Sequence, residues 1–394
     1  MNDVDALWAF LVAGAVSFAL TPVAARLAFR AGAVALPRER DLHDAPVPRL
    51  GGLAILAGAL AAGALFMPGN EETRGILAGA AAIALIGAAD DRWNLHPVVK
   101  LAGQFGAALL PVLSEVHVEN LTLPFVEPLQ LSDTAGSALT LVGIVAVMNV
   151  VNFTDGADGL AAGVCTIAAA TFAVIALSLD RVDAGILAAL TAGAAVGFLW
   201  HNFHPASVFM GDSGSNLLGL LLACVAIQGV LKTAAVVALF FPLVILAVPF
   251  LDTAFVVAKR IKYRQPVHRA DTEHFHHRFS RIGFSQTRTV LYLYAWTVSL
   301  AALALALRFV PYSEDDGTLN AGWAIVMASF FVVALAASFY LVIVLEILKF
   351  RHFRERELQR QVETGDMPAL SRDQIEQEIA REVETGEFEA VKPD

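Results

Sequence analysis

Residues 134–179 read TAGSALTLVGIVAVMNVVNFTDGADGLAAGVCTIAAATFAVIALSL. Two apolar runs, 134–151 and 159–179, flank the polar centre NFTDGAD at 152–158. A helix that crosses a membrane needs about 20 mostly apolar residues. Each run therefore predicts one transmembrane helix, and the polar centre predicts the connection between them at a membrane surface.

The rest of the chain shares this composition. Of its 394 residues 57% are hydrophobic and 16% are charged, whereas soluble domains carry roughly 25% charged residues. The mean hydropathy is +0.63. These values exclude a single soluble domain, a disordered chain, a coiled coil and a collagen-like fibre. About eleven stretches are candidate spans: 7–29, 50–68, 74–89, 97–113, 134–151, 159–179, 184–200, 214–230, 233–258, 288–309 and 320–348.

The charges orient these spans. Asp3 and Asp5 precede the first span, while its first cations, Arg26 and Arg30, follow it, so it is not a cleavable signal peptide. With the N-terminus outside, the outer segments hold 4 cations and 13 acids, and the cytoplasmic side up to residue 350 holds 16 cations and 12 acids. Cationic loops mark the cytoplasmic side. We predict an all-α polytopic membrane protein with about eleven transmembrane helices and a cytoplasmic C-terminus.

Three features lie outside this pattern. Residues 114–133 alternate polar and apolar side chains, which predicts a short β-hairpin on the outer surface. The chain is predicted to divide into a membrane domain, 1–350, and a polar, acidic cytoplasmic tail, 351–394. Cys165 and Cys224 lie in apolar spans and are expected to be buried, with neither a disulfide nor a cysteine metal site.

Each cytoplasmic loop carries a dense polar cluster. The first, LPRERDLHDAPVPRLGG at 36–52, contains Arg49 and two glycines that allow close backbone approach to a ligand, although an ordinary basic loop also fits. The second is the pair Asp90 and Asp91, at the end of a span. Adjacent carboxylates there are costly unless they are used, as a metal site or as a base.

Two further loops are rich in oxygen ligands. Asn152, Asp155 and Asp158 recur at three-residue spacing, and Asp212 precedes the sequence Ser-Gly-Ser at the start of a span. Such side chains suit Mg²⁺ or the sugar and base of a nucleotide, and a helix N-terminus suits phosphate. Helix capping is the alternative for both loops.

The last loop, 259–288, combines cations with four histidines inside ten residues. A zinc site is one interpretation, but the loop has no cysteine and no clean His-x3-His spacing. A cationic, hydrogen-bonding cradle for a diphosphate fits better. Its candidate residues are His274, His276, His277 and Arg278.

The motifs PRLGG, DD, NFTDGADGL, FMGDSGS and HRADTEHFHH, in this order, resemble those of the polyprenyl-phosphate N-acetylhexosamine-1-phosphate transferases, glycosyltransferase family 4. The resemblance covers about residues 1–350 and leaves out the tail. The lipid I branch, MraY, carries three consecutive histidines in the last loop. Because this chain has His-Phe-His-His at 274–277, it is more similar to the WecA and TagO branch.

The resemblance implies that polyprenyl phosphate attacks the β-phosphorus of a UDP-N-acetylhexosamine, giving polyprenyl-diphospho-sugar and UMP. N-acetylglucosamine is the expected sugar, and undecaprenyl or decaprenyl phosphate is the expected acceptor. Mg²⁺, replaceable by Mn²⁺, is the implied cofactor. The implied setting is the cytoplasmic face of the bacterial plasma membrane, at the first membrane step of a cell-envelope glycan, with a homodimer as a candidate state and no nucleic-acid partner.

The resemblance also implies roles for the polar residues. Asp212 is the main Mg²⁺ ligand, with Asp155 in support, and Asp90 or Asp91 deprotonates or positions the lipid phosphate. The nucleotide-sugar residues are Asn152, Asp155, Asp158, His274, His276 and His277, and the candidates for lipid-phosphate or diphosphate contact are Arg49 and Arg278.

Three alternatives stay open at this point. The first is phospho-N-acetylmuramoyl-pentapeptide transfer, which makes lipid I. The second, more distant, is a secondary transporter, although transporters place polar sites near the bilayer midplane and often contain internal repeats. The third is a non-catalytic lipid-binding scaffold, against which the presence of all five polar motifs argues.

Overall fold

The computed structural model describes residues 3–35, 46–121, 129–231, 250, 285–311, 320–326 and 328–332. Nine helices have defined bounds within these ranges: α1 Asp3–Ala31, α2 Gly52–Phe66, α3 Glu71–Trp93, α4 Pro97–Leu113, α5 Asp133–Thr154, α6 Leu160–Ser178, α7 Val182–Asn202, α8 Gly211–Ala226 and α9 Gln286–Phe309. A π-helical turn, Ile227–Leu231, continues α8. Residues 321–326 and 328–332 are also helical.

Two short antiparallel strand pairs accompany the helices. Strands β1, Val34–Ala35, and β2, Val47–Pro48, pair between α1 and α2, which the sequence did not predict. Strands β3, Asn120–Leu121, and β4, Leu129–Gln130, pair within the segment predicted as a hairpin. The location of the second pair on the outer surface stays a prediction.

Six of the described helices are long and apolar enough to cross a membrane: α1, α3, α5, α6, α7 and α9. The shorter apolar helices α2 and α4 lie where spans are predicted at 50–68 and 97–113. The chain is therefore a mostly helical, polytopic membrane protein. The total of about eleven spans and their orientation stay predictions, and the span predicted at 233–258 falls almost wholly outside the described residues.

Local sequence accounts for the helix ends near the site. Asn70 caps α3 by accepting a hydrogen bond from the Thr73 amide at 2.9 Å, and Asn94, with a φ of 50°, ends it. Pro97 then begins α4, because its fixed φ suits the first helical position and its missing N–H is not needed there. Only three residues separate α3 from α4, so the end of one helix lies beside the start of the next.

Contacts divide the chain into two units: Met1–Ala270 with Val290–Pro311, and Asp271–Thr289 with Tyr312–Asp394. In the first unit α8 is the central helix, packed against α2, α3, α5, α6 and α7. Every residue from Ser213 to Ala226 is buried, as expected of a helix that is largely apolar on all sides. Cys165 and Cys224 are buried and free, as predicted. The predicted domain boundary at residue 350 lies outside the described residues.

The outer helix α1 shows how the bundle meets lipid. It turns small residues such as Ala9, Ala13 and Ser17 towards the protein, and it exposes large apolar ones such as Trp8 and Phe18. A soluble helix would bury its large apolar side chains. The inverted pattern is typical of membrane helices, which pack through small residues and leave large ones in the hydrocarbon.

Candidate active site

The candidate active site lies where α3 and α5 end and where α4, α6 and α8 begin. Main-chain hydrogen bonds join the PRLGG and FMGDSGS motifs there. The amides of Gly51 and Gly52 donate to the carbonyls of Phe209 and Met210 at 3.1 and 3.0 Å, and the Phe209 amide donates to the Pro48 carbonyl at 2.8 Å. Two motifs that are far apart in the sequence therefore form one backbone platform.

Gly211 begins α8 on this platform with a φ of +69°. A Cβ at this position would lie 2.2 Å from the Arg49 carbonyl oxygen and 2.4 Å from an oxygen of Asp91. Both the left-handed backbone and the lack of space therefore require glycine here. The next residue, Asp212, is the second residue of α8 and is only partly buried.

Asp91 caps the N-terminus of α8. Its Oδ1 accepts a hydrogen bond from the Asp212 amide at 2.9 Å, and its Oδ2 accepts one from the Ser213 amide at 3.1 Å. The first amides of a helix have no partner within the helix, and a negative charge at this end is stabilised by the helix dipole. Both Asp91 oxygens are therefore engaged in positioning Asp212.

Asp90 contacts α4, and its carboxyl also lies within hydrogen-bonding range of the Asp212 carboxyl on α8. The Leu95 amide donates to Asp90 Oδ1 at 2.7 Å, and Asp90 Oδ2 lies 3.2 Å from Lys100 Nζ. Lys100 also forms an ion pair and hydrogen bond with Asp212 Oδ2. One ammonium group therefore joins the DD motif to the FMGDSGS motif.

Lys100 is absent from the residues predicted from the sequence. A signal for it existed, because a lysine in the first turn of an apolar span is costly and therefore functional by default. The side chains of Asp90, Lys100 and Asp212 are 13%, 22% and 25% exposed. The three groups are therefore partly enclosed by protein but open to a ligand.

Asn152, near the end of α5, also forms a hydrogen bond with Asp212. Its Nδ2 donates to Asp212 Oδ1 at 2.8 Å and to Ser215 Oγ at 2.8 Å. Both Asp212 oxygens thus accept hydrogen bonds from side chains on other helices. The structure brings Asp90, Asp91, Asn152 and Asp212 together, and their roles stay predictions.

Asp155 lies next to this group, just beyond α5. Burial and, next in size, the negative charge of Asp212 raise the pKa of its carboxyl to about 8, although the positive charge of Arg49 acts in the opposite direction. A carboxyl group with these neighbours is favourably placed to receive a cation, which would offset the repulsion. Arg49, predicted as a phosphate contact, is therefore close enough to act on the same site.

The Asp158 carboxylate is held in place by two contacts with the segment between α7 and α8. Its Oδ2 lies 2.8 Å from His204 Nδ1 and accepts a hydrogen bond from the Ala206 amide at 3.1 Å. This ties the NFTDGADGL connection to the turn between α7 and α8. The predicted role of Asp158 in binding a nucleotide remains untested, and His204 is a partner that the sequence analysis missed.

Gly159, at the start of α6, is held on both sides. Its amide donates to Asn202 Oδ1 at 3.0 Å, and its carbonyl accepts a hydrogen bond from the Tyr294 hydroxyl of α9. Asn202 in turn donates from Nδ2 to the Val208 carbonyl at 2.9 Å. The buried Asn202 of α7 and the partly buried Tyr294 of α9 therefore fix the connection that carries Asp155 and Asp158.

The donor chemistry of the site suits Mg²⁺. Among the described residues no three His, Cys, Asp or Glu side chains converge closely enough to hold a metal ion by themselves. Mg²⁺, however, is usually held by one or two carboxylates together with water and substrate phosphates. Asp212 and Asp155 provide such a pair, next to the cation Lys100.

The remaining predicted residues, His274, His276, His277 and Arg278, lie outside the described residues. Their roles stay predictions.

Comparison with known proteins places the chain among membrane transferases. The family model for glycosyl transferase family 4 matches residues 73–230, which contain nearly all of α3 and the whole of α4 to α8. The probable undecaprenyl-phosphate N-acetylglucosaminyl 1-phosphate transferase of Bacillus subtilis is 38% identical over 302 residues, covering 75% of this chain and 84% of that protein.

Two further relatives come from other bacteria. The decaprenyl-phosphate N-acetylglucosaminephosphotransferase of Mycobacterium tuberculosis H37Rv is 36% identical over 350 residues, which is 81% of this chain and 86% of that protein. The phospho-N-acetylmuramoyl-pentapeptide-transferase of Desulforudis audaxviator is 34% identical over 328 residues, which is 76% of this chain and 95% of that protein.

Proposed function

This chain belongs to glycosyl transferase family 4, and we propose that it transfers N-acetylglucosamine 1-phosphate from UDP-N-acetylglucosamine to a polyprenyl phosphate. The products are polyprenyl-diphospho-N-acetylglucosamine and UMP. The observation that carries the proposal is the convergence of Asp90, Lys100 and Asp212 from three helices at one end of the bundle. The two relatives with N-acetylglucosamine in their names support this sugar.

The reaction exchanges one phosphoanhydride bond for another. A lipid-phosphate oxygen forms a bond to the β-phosphorus of the UDP-sugar, and the bond from that phosphorus to the bridging oxygen breaks. The electron pair of the broken bond leaves on UMP. Both reactants are anions, so positioning and charge compensation contribute most of the catalysis.

The site residues divide this work. Asp90, whose Oδ2 lies beside Lys100, accepts the lipid-phosphate proton or orients that phosphate. Lys100 compensates phosphate charge, and Asp91 positions Asp212 by capping α8. Arg49, near Asp155, contributes further positive charge.

Asp212 and Asp155 are the residues that would hold Mg²⁺, which neutralises phosphate charge when it is bound. Mn²⁺ offers the same oxygen-ligand chemistry. Asn152 positions Asp212 and, with Asp158, borders the expected nucleotide side of the site. The histidines at 274, 276 and 277, with Arg278, are proposed to contact the diphosphate.

We place the reaction at the cytoplasmic face of the bacterial plasma membrane, as the first membrane step of a cell-envelope glycan. Support comes from the bias of cationic loops towards the side where α3 ends and α8 begins. A homodimer is part of the proposal by analogy with the family alone.

The test is UMP release by the detergent-purified full chain. We expect UMP only when UDP-N-acetylglucosamine, polyprenyl phosphate and Mg²⁺ are all present, and none with UDP-N-acetylmuramoyl-pentapeptide in its place. Asp212→Asn should reduce the rate by at least about 10²-fold. The matched control is Asp180→Asn, since Asp180 is exposed and its positive φ of 57° tolerates asparagine.

Two outcomes would overturn the proposal. UMP release without polyprenyl phosphate would indicate a hydrolase, and full activity of the Asp212→Asn variant would remove the metal assignment. A preference for UDP-N-acetylmuramoyl-pentapeptide would reassign the chain to lipid I synthesis, the function named for the Desulforudis relative.

A further inference from the structure

A second polar layer lies one helical turn deeper than the site. On α4 and α8 it lies four residues after Lys100 and Asp212, and on α5 it lies three residues before Asn152. Residues at these spacings share one face of a helix. Because α4 and α8 begin at the site and α5 ends there, each residue of this layer lies deeper in the helix bundle than the site residue from which it is counted. The amides of this layer are Gln104, Asn149 and Asn216, called here the amide triad.

Hydrogen bonds join the amide triad across the three helices. Gln104 Nε2 donates to Asn216 Oδ1 at 2.7 Å, and Asn149 Nδ2 donates to Gln104 Oε1 at 2.9 Å. The two asparagines also form hydrogen bonds within their own helices. Asn149 donates to the Val145 carbonyl and Asn216 donates to the Asp212 carbonyl, both at 2.8 Å. Gln104 thus uses both its donor and its acceptor.

Two members of the amide triad are buried in the bundle, and Asn149 is partly exposed. Gln104 and Asn216 are each 1% exposed. An amide without a partner in an apolar interior is costly, so Gln104 tolerates only an arrangement in which both of its bonds form. A shift of α4 by one residue moves its side chains by about 100° around the helix axis, which would break both bonds.

The energy of such bonds argues for a role beyond stability. Hydrogen bonds between membrane helices contribute little to stability on average, and apolar packing at the same positions would match that contribution. A buried amide selects one register among the packings that apolar side chains accept. The register selected here is the one that places Lys100 of α4 against Asp212 of α8.

We propose that the amide triad is a positioning device, which sets the register of α4 against α5 and α8 and so aligns Lys100 with Asp212. The activity readout of this inference rests on the proposed transferase function. Gln104 is the critical member, because it alone bonds to both other amides.

The first test compares turnover with folded protein. For Gln104→Leu we expect kcat per folded molecule to fall by about 10- to 100-fold, because displacement of reacting groups by about 1 Å has this effect. The KM for the UDP-sugar should change less than about threefold. The matched control is Thr191→Val, since Thr191 is fully buried but its hydroxyl bonds only to Leu187 of the same helix. That variant should keep its kcat.

A triple variant separates positioning from stability. Replacing all three amides by leucine leaves no unpaired polar group, so the melting temperature should recover to near the wild-type value. The kcat should remain low, because an apolar layer no longer selects the register. Recovery of kcat together with the melting temperature would overturn the inference.

A third readout does not depend on catalysis. Lys100→Cys and Asp212→Cys are combined, and a short bifunctional thiol reagent links the two cysteines, with the native Cys165 and Cys224 buried. Adding Gln104→Leu should reduce the yield of the linked product at least about twofold, because the register is less restricted. An unchanged yield would overturn the inference even if the wild-type protein released no UMP, an outcome that would refute only the proposed function.

Discussion

The adjacent carboxylates Asp90 and Asp91 should fail in different ways when each is replaced by asparagine. Asp91 accepts two amide hydrogen bonds at the start of α8, at 2.9 and 3.1 Å. Asparagine has one acceptor oxygen, so the Asp91→Asn side chain keeps one bond and turns its NH₂ towards a second donor. The negative charge at the helix N-terminus is lost as well.

The magnitude follows from these contacts. A hydrogen bond to a charged group contributes about 1.5–3 kcal/mol, and a negative charge at a helix N-terminus contributes about 0.3–1 kcal/mol. The Asp91→Asn substitution should therefore lower the free energy of unfolding by about 2–4 kcal/mol. With each kcal/mol shifting the melting temperature by at least about 2 °C, the expected decrease is about 4 °C or more.

The Asp90→Asn substitution should instead leave stability nearly unchanged and reduce catalysis. The asparagine Oδ1 still accepts the Leu95 amide, and Lys100 keeps its ion pair with Asp212, so the substitution leaves no buried charge unpaired. The melting temperature should stay near the wild-type value. UMP release should nevertheless decrease by about 10²- to 10⁴-fold, the usual effect of removing a general base.

Thermal unfolding and UMP release, measured on the same detergent preparations, decide between the two roles. The reasoning is refuted if the melting temperature of the Asp91→Asn variant equals that of the wild type. It is also refuted if the Asp90→Asn variant has a melting temperature as low as that of Asp91→Asn. Full turnover of Asp90→Asn would contradict its proposed role in catalysis.

Three further substitutions test the surroundings of the site. Lys100→Met should reduce UMP release by at least about 10²-fold, because it removes the cation between two carboxylates, and near-normal turnover would contradict this. Tyr294→Phe removes the hydrogen bond to the Gly159 carbonyl. The KM for the UDP-sugar should rise about 2- to 10-fold with kcat little changed. A decrease in kcat with an unchanged KM would refute this prediction. Gly52→Ala should lower the melting temperature and the activity, because its Cβ would lie 2.1 Å from a backbone nitrogen of α8, whereas Gly106→Ala, with no atom within 4 Å, should do neither.

Helix positions near the site were largely predictable. The predicted span 97–113 coincides with α4, and the spans at 134–151 and 159–179 differ from α5 and α6 by at most three residues at any end. Apolar run length, capping residues and a proline at the first helical position are local signals, so a single sequence contains them. The β1–β2 pair was not predicted, because each strand has only two residues and no alternating pattern.

The sequence analysis named the aspartates and the asparagine that the structure brings together, but it missed Lys100 and could not assign the contacts among them. Asp90, Asp91, Asn152 and Asp212 follow from polar motifs at span ends. The sequence alone leaves the two aspartates of the DD motif equivalent, since both precede the same loop. Their different roles depend on which face of α3 meets α8 and which meets α4, and that is decided by packing.

The sequence by itself determined that this chain is a helical membrane protein with oxygen-rich motifs at the ends of its spans, because span length, hydropathy and motif spacing are properties of neighbouring residues. Only the tertiary structure decided that Lys100 joins Asp90 to Asp212, and that Gln104 bonds to Asn149 and Asn216 one turn deeper. Lys100 and Asp212 are 112 residues apart. A contact across that separation depends on the angle and register of packed helices, which no local pattern in the sequence specifies.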